Sequence, residues 1–480
     1  MKYYAAIDLG TTNIKCAIFK EKDGELRLCD KLEQECELIS TSTLEVEQNA
    51  TIWWDITCKM LKTFSTCYDI AAVGISSQGI TIVPVDENNK PLHNAISWLD
   101  QRKSVIRYAV IKRFGVKRYR AITSRLDPGD YGIARIMWLL IHRKKLSSMA
   151  YKYLMPMDFI NAKLCGVAVT DHSMAAGTAA YDIKNKCWSD EILESFNVPS
   201  SKLPLIQNSG SIAGYVTEIA SEQTGLKVGT VVAVGAQDQK CGALGAGLKK
   251  GIASLSMGTA FALTIKLNDF VQARDGFIPI FADILGEGYQ WEACIATGGA
   301  ALQWLGRLLN LSSEEMSDQI IDYIPDEHNP YFFPHMSGCY HPKMYPDACG
   351  NFYNLSMNND KTAMIYAVME GIVFSLNQNI ILAKAANEQV SEIYAYGGGS
   401  RSDPWLQLLA DVSGVVVHAL MIEDASCVGA AMLAAKACGV DKVSHQNEFR
   451  RVFVPDLNKT NLMQMRFKRF NKVEKRIFTK

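Results

Sequence analysis

The residue types best suited to chemistry lie in two loops that each follow a short apolar run. The first is Asp8-Leu9-Gly10-Thr11-Thr12, and the second, about half a chain later, is Ser256-Met257-Gly258-Thr259. A glycine flanked by hydroxyl residues at a bend leaves backbone N–H groups facing outwards, which suits a phosphate group. In the first loop, Asp8 could also hold Mg²⁺ through water. Either loop alone is equally compatible with an ordinary β-turn.

Two further segments carry signals of ligand binding. Tyr396-Gly397-Gly398-Gly399-Ser400 precedes a helix start at Asp403-Pro404, and three consecutive glycines suit a close approach of the backbone to a flat or anionic ligand. Asp238 follows the apolar run 231–234, in the place where open α/β sheets bind ligands. Its carboxylate could accept a proton from a hydroxyl nucleophile, although an acid after a strand is more often a helix N-cap.

The elements that must position these residues alternate between short apolar strands and amphipathic helices. The pattern predicts strands at 3–7, 14–19, 25–29, 71–75, 231–234, 252–256 and 261–265, and helices at 133–142, 300–309 and 362–385. Such alternation predicts mixed or parallel sheets covered by helices. Because the strand, bend and returning strand occur twice, we expect two comparable domains, 1–246 and 247–480.

Composition excludes several classes of protein. The chain has 480 residues, 48% hydrophobic and 21% charged, so it can bury large cores and is not a small disulfide-stapled module. Fifty basic and fifty acidic residues leave no net charge, which disfavours nucleic acid and anionic membranes as partners. Thirteen cysteines with no C-x-x-C pair, and no visible export signal, predict a cytoplasmic protein with free thiols.

Two other patterns favour structural roles. A zinc site is not expected, because no common ligand spacing fits the cluster His335, Cys339, His341 and Cys349. The basic stretch 102–125 places Val105, Tyr108, Ala109 and Lys112 at helical spacing, which predicts a packed helix with a solvated basic face rather than a nucleic-acid surface. Apolar residues recur every three or four positions in the basic C-terminal tail, which predicts a docked terminal helix.

In order and spacing, the chemical motifs resemble those of the FGGY carbohydrate kinases, members of the actin and hexokinase superfamily. The resemblance spans nearly the whole chain and includes Trp98-Leu99-Asp100-Gln101-Arg102, which is similar to the family's W-x-D-x-R. It implies an α/β fold in which two ribonuclease-H-like domains flank a cleft. It also implies ATP-dependent phosphorylation of a sugar or polyol hydroxyl. The N-terminal domain would bind the sugar and part of the phosphate, and the C-terminal domain would bind ATP.

The resemblance also implies a role for each matching residue. Asp238 would be the catalytic base, and Asp8 would help to organise Mg²⁺. The residues expected to bind the phosphates, ribose and adenine of ATP are Thr11, Thr12, Gly258, Thr259, Gly298, Gly299, Gly397, Gly398 and Gly399. The residues expected to contact the sugar are Gln78, Gly79, Ile80, Trp98, Asp100 and Asp238.

The identity of the sugar depends on the segment after residue 77. Xylulokinase-like members carry a Met-His pair where this chain has Gly79 and Ile80, whereas Gln78 matches. We expect a ketopentose such as xylulose, with ribulose, a heptulose or an erythritol-type polyol as alternatives. A second class of function is an actin-like or chaperone-like ATPase, of which a chaperone would require a peptide-binding module after its nucleotide domain. A homodimer is left open.

Overall fold

The structure is a computed structural model that describes residues 2–102, 112, 114–126, 129, 131–272, 276–326, 328–422, 424–440, 442–445 and 447–479. The predicted helical face of Val105, Tyr108 and Ala109 lies outside the described residues. Contacts divide the chain into two compact units. Unit 1 is Met1–Gly245 with Phe281–Gly288 and Asp424–Gln446, and unit 2 is Ala246–Ile280 with Tyr289–Glu423 and Asn447–Lys480.

Short strands make up the sheets of both units. The strands are β1 (Lys2–Leu9), β2 (Asn13–Lys22), β3 (Glu25–Glu35), β4 (Ile39–Ser40), β5 (Val46–Gln48), β6 (Ile70–Ser77), β7 (Val83–Val85), β8 (Ala95–Ile96), β9 (Lys152–Leu154), β10 (Val169–Asp171), β11 (Tyr181–Asp182), β12 (Cys187–Trp188), β13 (Leu205–Gln207), β14 (Ile212–Tyr215), β15 (Val231–Ala233), β16 (Ala236–Gln237), β17 (Gly251–Met257), β18 (Phe261–Leu267), β19 (Ile280–Ala282), β20 (Tyr289–Ile295), β21 (Tyr331–Phe333), β22 (Asn351–Tyr353), β23 (Val390–Tyr396), β24 (Val416–Leu420), β25 (Ser444–His445) and β26 (Phe449–Phe453).

Helices cover these sheets. The α-helices are α1 (Ala50–Ser65), α2 (Val116–Thr123), α3 (Gly132–His142), α4 (Lys144–Met149), α5 (Pro156–Cys165), α6 (His172–Ala176), α7 (Asp190–Ser195), α8 (Glu218–Thr224), α9 (Asp238–Gly245), α10 (Gly298–Leu309), α11 (Ser313–Asp318), α12 (Lys361–Ala385), α13 (Asp403–Ser413), α14 (Ala425–Ala437) and α15 (Leu457–Phe478). Among the described residues, 3₁₀ turns occur at Ser200–Lys202 and Gly398–Arg401.

The two main sheets share one strand plan. In unit 1 the order is β14-β15-β6-β1-β2-β3-β25; β1, β2 and β3 pair antiparallel, and β6 runs parallel to β1. In unit 2, β17, β18 and β20 pair antiparallel, β23 runs parallel to β17, and β24 runs parallel to β23. The predicted repetition of one strand plan in the two halves is therefore confirmed, and it extends well beyond the two loops that suggested it.

Apart from the helix in the basic stretch 102–125, the predicted elements all form, most of them one to six residues longer than expected. The strand expected at 25–29 extends to Glu35, because it pairs with β2 along its whole length. The helix expected after the glycine triplet is α13, whose first turn contains Pro404 and whose N-cap Ser402 accepts from the Trp405 N–H. The expected terminal helix is α15, with Met463, Phe470 and Val473 buried.

Helix α12 is the core helix of unit 2. Among the described residues it is the one helix long and apolar enough to cross a membrane by length and composition, and 89% of that apolar window is buried inside the protein. Helix α15 is anchored to it by buried charges, with Arg466 Nε donating to Glu370 Oε1 at 2.6 Å. Unit 2 therefore buries an ion pair beside its most apolar helix.

Unit 1 is completed by a segment that comes late in the chain. Helix α14 packs on β1, β6 and α9. The approach is close, because a Cβ built at Gly74 of β6 would lie 2.1 Å from the carbonyl oxygen of Ala430, and one at Gly429 would lie 2.0 Å from that of Cys241. Because Asp238, the predicted catalytic residue, begins α9 beside the end of β6, α14 supports the backbone around it.

Candidate active site

In unit 1, the carboxyl ends of three neighbouring strands bring Asp8 and Asp238 to one sheet edge. Asp8 near the end of β1 is in register with Ser76 of β6, and Ser76 is in register with Ala236 of β16. Asp238 follows two residues later, as the first residue of α9. Because neighbouring strands lie about 5 Å apart, the two acids leave the same edge with only β6 between them.

Asp8 is a half-buried acid that shares its nearest lysine with a second acid. Its Oδ1 accepts from the Ser76 hydroxyl at 2.7 Å, and Lys15 faces it across the β1–β2 pair. The Lys15 ammonium, however, forms an ion pair with Asp424 at 2.5 Å. Burial raises the pKa of Asp8 to about 6, and Ser76 and Lys15 offset this rise only in part.

The charges of both acids act on one buried thiol, that of Cys241. Burial first, and then the negative charges of Asp171, Asp8 and Asp238, raise the pKa of Cys241 well above its ordinary value. The Cys241 Sγ lies 3.6 Å from the carbonyl oxygen of Ala236, just beneath the strand edge. The two acids therefore share an electrostatic environment within unit 1.

Asp238 is half-buried at the start of α9. Its Oδ1 accepts from the N–H of the next residue, Gln239, at 2.7 Å, and its carbonyl oxygen accepts from the Ser426 hydroxyl at 3.2 Å. The second contact comes from α14, so the late segment of unit 1 helps to fix the backbone of the predicted base.

The loop after β1 is hydrogen-bonded to two of the residues predicted to contact the sugar, one of them through Gln48. The Trp98 indole Nε1–H donates to the Thr11 hydroxyl at 2.9 Å, although the Trp98 side chain is 42% exposed. Gln48 Nε2 donates to the Thr11 carbonyl oxygen at 2.8 Å, and Gln78 Nε2 donates to Gln48 Oε1 at 2.9 Å. Thr12 is exposed, and its carbonyl oxygen accepts from the Cys36 N–H at 2.6 Å.

The segment after β6 contains a strained turn. The Thr81 N–H donates to the Gly79 carbonyl oxygen at 2.8 Å, and Ile80 between them has φ of 71°. A β-branched residue rarely adopts positive φ, because its side chain then crowds the backbone. Such strain is typical of positions where function or packing requires one backbone geometry.

Asp100 is already saturated by groups of unit 1. Its two carboxylate oxygens accept from the Val46 N–H, the Arg102 N–H and the Arg102 guanidinium, at 2.7 to 3.1 Å. A carboxylate offers about four acceptor positions, and these contacts use them. The Asp100 carboxylate is therefore occupied by Val46 and Arg102, and its contact with a sugar stays a prediction.

In unit 2, the second loop packs against the start of α10. The Gly299 N–H donates to the Gly258 carbonyl oxygen at 3.2 Å, and the Ala300 N–H donates to the Thr259 carbonyl oxygen at 3.0 Å. A Cβ at Gly299 would lie 2.3 Å from the Gly258 oxygen, and one at Gly298 would lie 2.4 Å from the Phe261 ring. Glycine is therefore required for this contact.

The glycine triplet reaches the same bend from the other side. Gly397 has φ of 90°, and a Cβ there would lie 3.1 Å from the Met257 carbonyl oxygen. A Cβ at Gly399 would lie 3.0 Å from the Met257 Cβ, whereas Gly398 is exposed with no atom within 4 Å of a built Cβ. The predicted nucleotide-binding residues of unit 2 thus form one closely packed patch, in which Gly258, Thr259, Gly397 and Gly398 are exposed and Gly298 is buried.

Sequence reasoning missed three residues of the unit 1 edge. Ser76 fixes the Asp8 carboxylate, Gln48 joins Gln78 to Thr11, and Gln237 lies directly before Asp238. Each is an ordinary polar residue whose partner lies elsewhere in the chain. Only Gln237 had a local signal, its position beside the predicted base.

Two repeated α/β units, with acids at a strand edge of one and glycine-rich backbone bends in the other, define a two-domain phosphotransferase of the actin and hexokinase type. The comparisons with known proteins agree. The N-terminal domain of the FGGY family of carbohydrate kinases matches residues 3–245, and its C-terminal domain matches residues 253–438. The chain belongs to the FGGY family of carbohydrate kinases, and it is an ATP-dependent sugar phosphotransferase.

Relatives with known names cover most of the chain. It is 28% identical over 443 residues to a xylulose kinase of Staphylococcus xylosus, with 91% of each chain covered. It is also 28% identical over 460 residues to a glycerol kinase of Leifsonia xyli, with 91% of this chain and 89% of the relative covered. The crystal structure of a xylulose kinase from Lactobacillus acidophilus has a TM-score of 0.91 at 22% identity and covers 100% of this chain and 99% of that one. These matches confirm the expected family and fold.

Proposed function

We propose that this enzyme phosphorylates a ketopentose, with xylulose as the preferred substrate, and that Asp238 is its base. The observation that carries the proposal is the register of β1, β6 and β16, because it joins Asp8, Gln78 and Asp238 at one strand edge. The name of the S. xylosus relative supports xylulose as the sugar.

Unit 1 needs to supply little covalent chemistry for this reaction. Phosphoryl transfer needs in-line positioning and charge stabilisation, with a proton acceptor at the attacking hydroxyl. Asp238 would take that proton, and its half-buried position leaves it accessible to a hydroxyl group. Trp98 and Gln78 would orient the sugar, and their links to Thr11 would tie the sugar's position to that of the phosphate-binding loop.

The surroundings of Asp8 fit a magnesium ion. Mg²⁺ keeps several waters and binds through one or two carboxylates, and Asp8 is a half-buried acid at the strand edge. Burial raises its pKa to about 6 although Lys15 lies opposite, so a bound cation would stabilise the carboxylate form. When bound, the ion would neutralise charge on the phosphate oxygens of ATP. Asp8 would hold it, with Ser76 fixing the orientation of the carboxylate.

In unit 2, the patch formed by the second loop, the start of α10 and the glycine triplet would bind ATP. Its glycines allow the second loop, the start of α10 and the glycine triplet to pack against one another, and Gly398 leaves open backbone that a ligand could approach. Gly258 and Thr259 would contact the phosphates, and Gly298, Gly299 and Gly397 to Gly399 would lie along the ribose, α-phosphate and adenine. We also propose that the enzyme works in a reducing, cytoplasmic environment, since all thirteen cysteines are free.

A substrate panel tests the proposal. Purified enzyme with Mg²⁺ and ATP is offered D- and L-xylulose, ribulose, a heptulose, erythritol, glycerol and gluconate, and ADP release is followed by a coupled assay. We expect the highest kcat/KM with a xylulose. A higher value with a polyol or an acid would favour the alternative substrate class, for which Gly79 and Ile80 in place of a Met-His pair is the supporting observation. ADP release that no compound stimulates would refute the proposed function.

A further inference from the structure

Two amide oxygens at the unit 1 strand edge are buried without a hydrogen-bond donor. They are Oε1 of Gln78 and Oε1 of Gln237, and among the described residues no donor reaches either atom. The Gln78 side chain belongs to a residue only 3% exposed. Leaving a buried acceptor unpaired costs about 1–3 kcal/mol. Asn161 and Asn379 also have unpaired buried amide oxygens, but those of Gln78 and Gln237 lie at the strand edge that carries the predicted base.

The orientation of the Gln78 amide is fixed by a chain of hydrogen bonds. The Thr11 carbonyl oxygen can only accept, so the Gln48 atom 2.8 Å away must be its amide nitrogen. The Gln48 oxygen is then the atom that accepts from Gln78 Nε2 at 2.9 Å. Gln78 is consequently left with its oxygen unpaired, as an acceptor and not as a donor.

Gln237 lies next to the same segment. It is in register with Ser77 on the paired strands β16 and β6, and its backbone N–H is held by the Ser173 hydroxyl at 3.0 Å. A Cβ built at Gly79 would lie 3.3 Å from Gln237 Nε2 and 3.5 Å from its Cγ. The amide of Gln237 therefore packs over Gly79, directly before Asp238.

We propose that Gln237 is a specificity-determining residue, which acts with Gln78 to accept hydrogen bonds from two sugar hydroxyl groups other than the one that is phosphorylated. This inference rests on the proposed function. A polyhydroxylated substrate supplies the missing hydrogen-bond donors. Neither Gly79 nor Ile80 has a polar side chain that could bind a sugar hydroxyl group instead. Gln48 is the positioning residue that keeps the Gln78 oxygen available. A substrate lacking either hydroxyl leaves an acceptor unpaired in the complex and is rejected.

The test uses Gln237→Met, which keeps the volume and flexibility of the side chain and removes the amide. With the best sugar of the panel, we expect kcat/KM to fall at least about tenfold, through KM for the sugar, while KM for ATP is unchanged. Each monodeoxy analogue of that sugar is then assayed with both enzymes. For one analogue, the wild-type kcat/KM should be as low as the kcat/KM of Gln237→Met for the full sugar. For that same analogue, Gln237→Met should lower kcat/KM only slightly further.

Gln223→Met is the matched control, because Gln223 accepts from the Trp54 indole at 2.8 Å on α1 and α8, away from the strand edge. It should leave both KM values unchanged. The inference would be overturned, with the proposed function intact, if Gln237→Met left the KM for the sugar unchanged. It would also be overturned if, for every deoxy analogue, the loss of kcat/KM from the missing hydroxyl added fully to the loss from the substitution. A wild type inactive on every sugar and polyol would overturn both.

Discussion

The buried ion pair between α12 and α15 sets a measurable part of the stability of unit 2. Arg466 and Glu370 form two parallel hydrogen bonds of 2.6 and 2.7 Å, and their side chains are 2% and 1% exposed. Glu370→Met leaves the guanidinium buried with carbonyl acceptors from Asp326 and Pro330 but no counter-ion. Removing one partner of a buried pair costs about 3–5 kcal/mol.

For a unit of this size, each kcal/mol lowers Tm by about 2–4 °C, so Glu370→Met should unfold roughly 6–20 °C below the wild type. The double variant Glu370→Met with Arg466→Met should recover most of that loss, because it removes both charges and fills the site with apolar atoms. Thermal unfolding followed by circular dichroism measures both. A single variant within about 2 °C of the wild type, or a double variant less stable than either single one, would refute this reasoning.

The remaining predictions concern the two units separately. Gly299→Ala should raise KM for ATP by about tenfold or more and leave KM for the sugar unchanged, because the new methyl group would lie 2.3 Å from the Gly258 oxygen; equal ATP kinetics would contradict this. Burial raises the pKa of Asp8 to about 6 when no ion is bound, so Mg²⁺ must displace a proton at lower pH, and the Mg²⁺ concentration for half-maximal activity should rise as the pH falls through 6; an unchanged Mg²⁺ requirement on either side of pH 6 would argue against its role. Burial would raise the pKa of Glu474, but hydrogen bonds from His335 and Lys343 outweigh it and hold the pKa below its ordinary value of 4.5. The Glu474 carboxylate therefore contributes fully to the free energy of unfolding above pH 4.5, and this contribution is lost as the pH falls through the lowered pKa. Urea titrations at several pH values should show a weaker acid dependence of that free energy in Glu474→Gln.

The sequence was sufficient to predict the loops whose residue types are required by local backbone geometry. The loop at Asp8, the bend at Gly258 and the glycine triplet each combine an apolar strand with residues that only a turn or a close approach requires. Such signals depend on a few neighbouring residues, so the sequence is sufficient to find them. The order of these motifs also predicted the family, which the matches to both FGGY domains confirm.

Contacts between distant segments could not be predicted in this way. Nothing in the sequence of α14 indicates that it packs on β1 and β6, because an apolar helix fits many sheets equally well. Gln48 and Ser76 act through partners 37 and 68 residues away in sequence, and single polar residues carry no periodic pattern. Asp100 had the expected motif, but its saturation by Val46 and Arg102 depends on β5, which the sequence did not indicate.

The most direct test of the account is the turnover of Asp238→Asn. The variant keeps the size and shape of the side chain and removes the group that would accept the proton from the sugar hydroxyl. We predict a kcat at least about a hundredfold below the wild type in sugar-dependent ADP release, with KM for ATP and the thermal unfolding midpoint unchanged. A variant that turns over at a near-normal rate would contradict the assignment of Asp238 as the base.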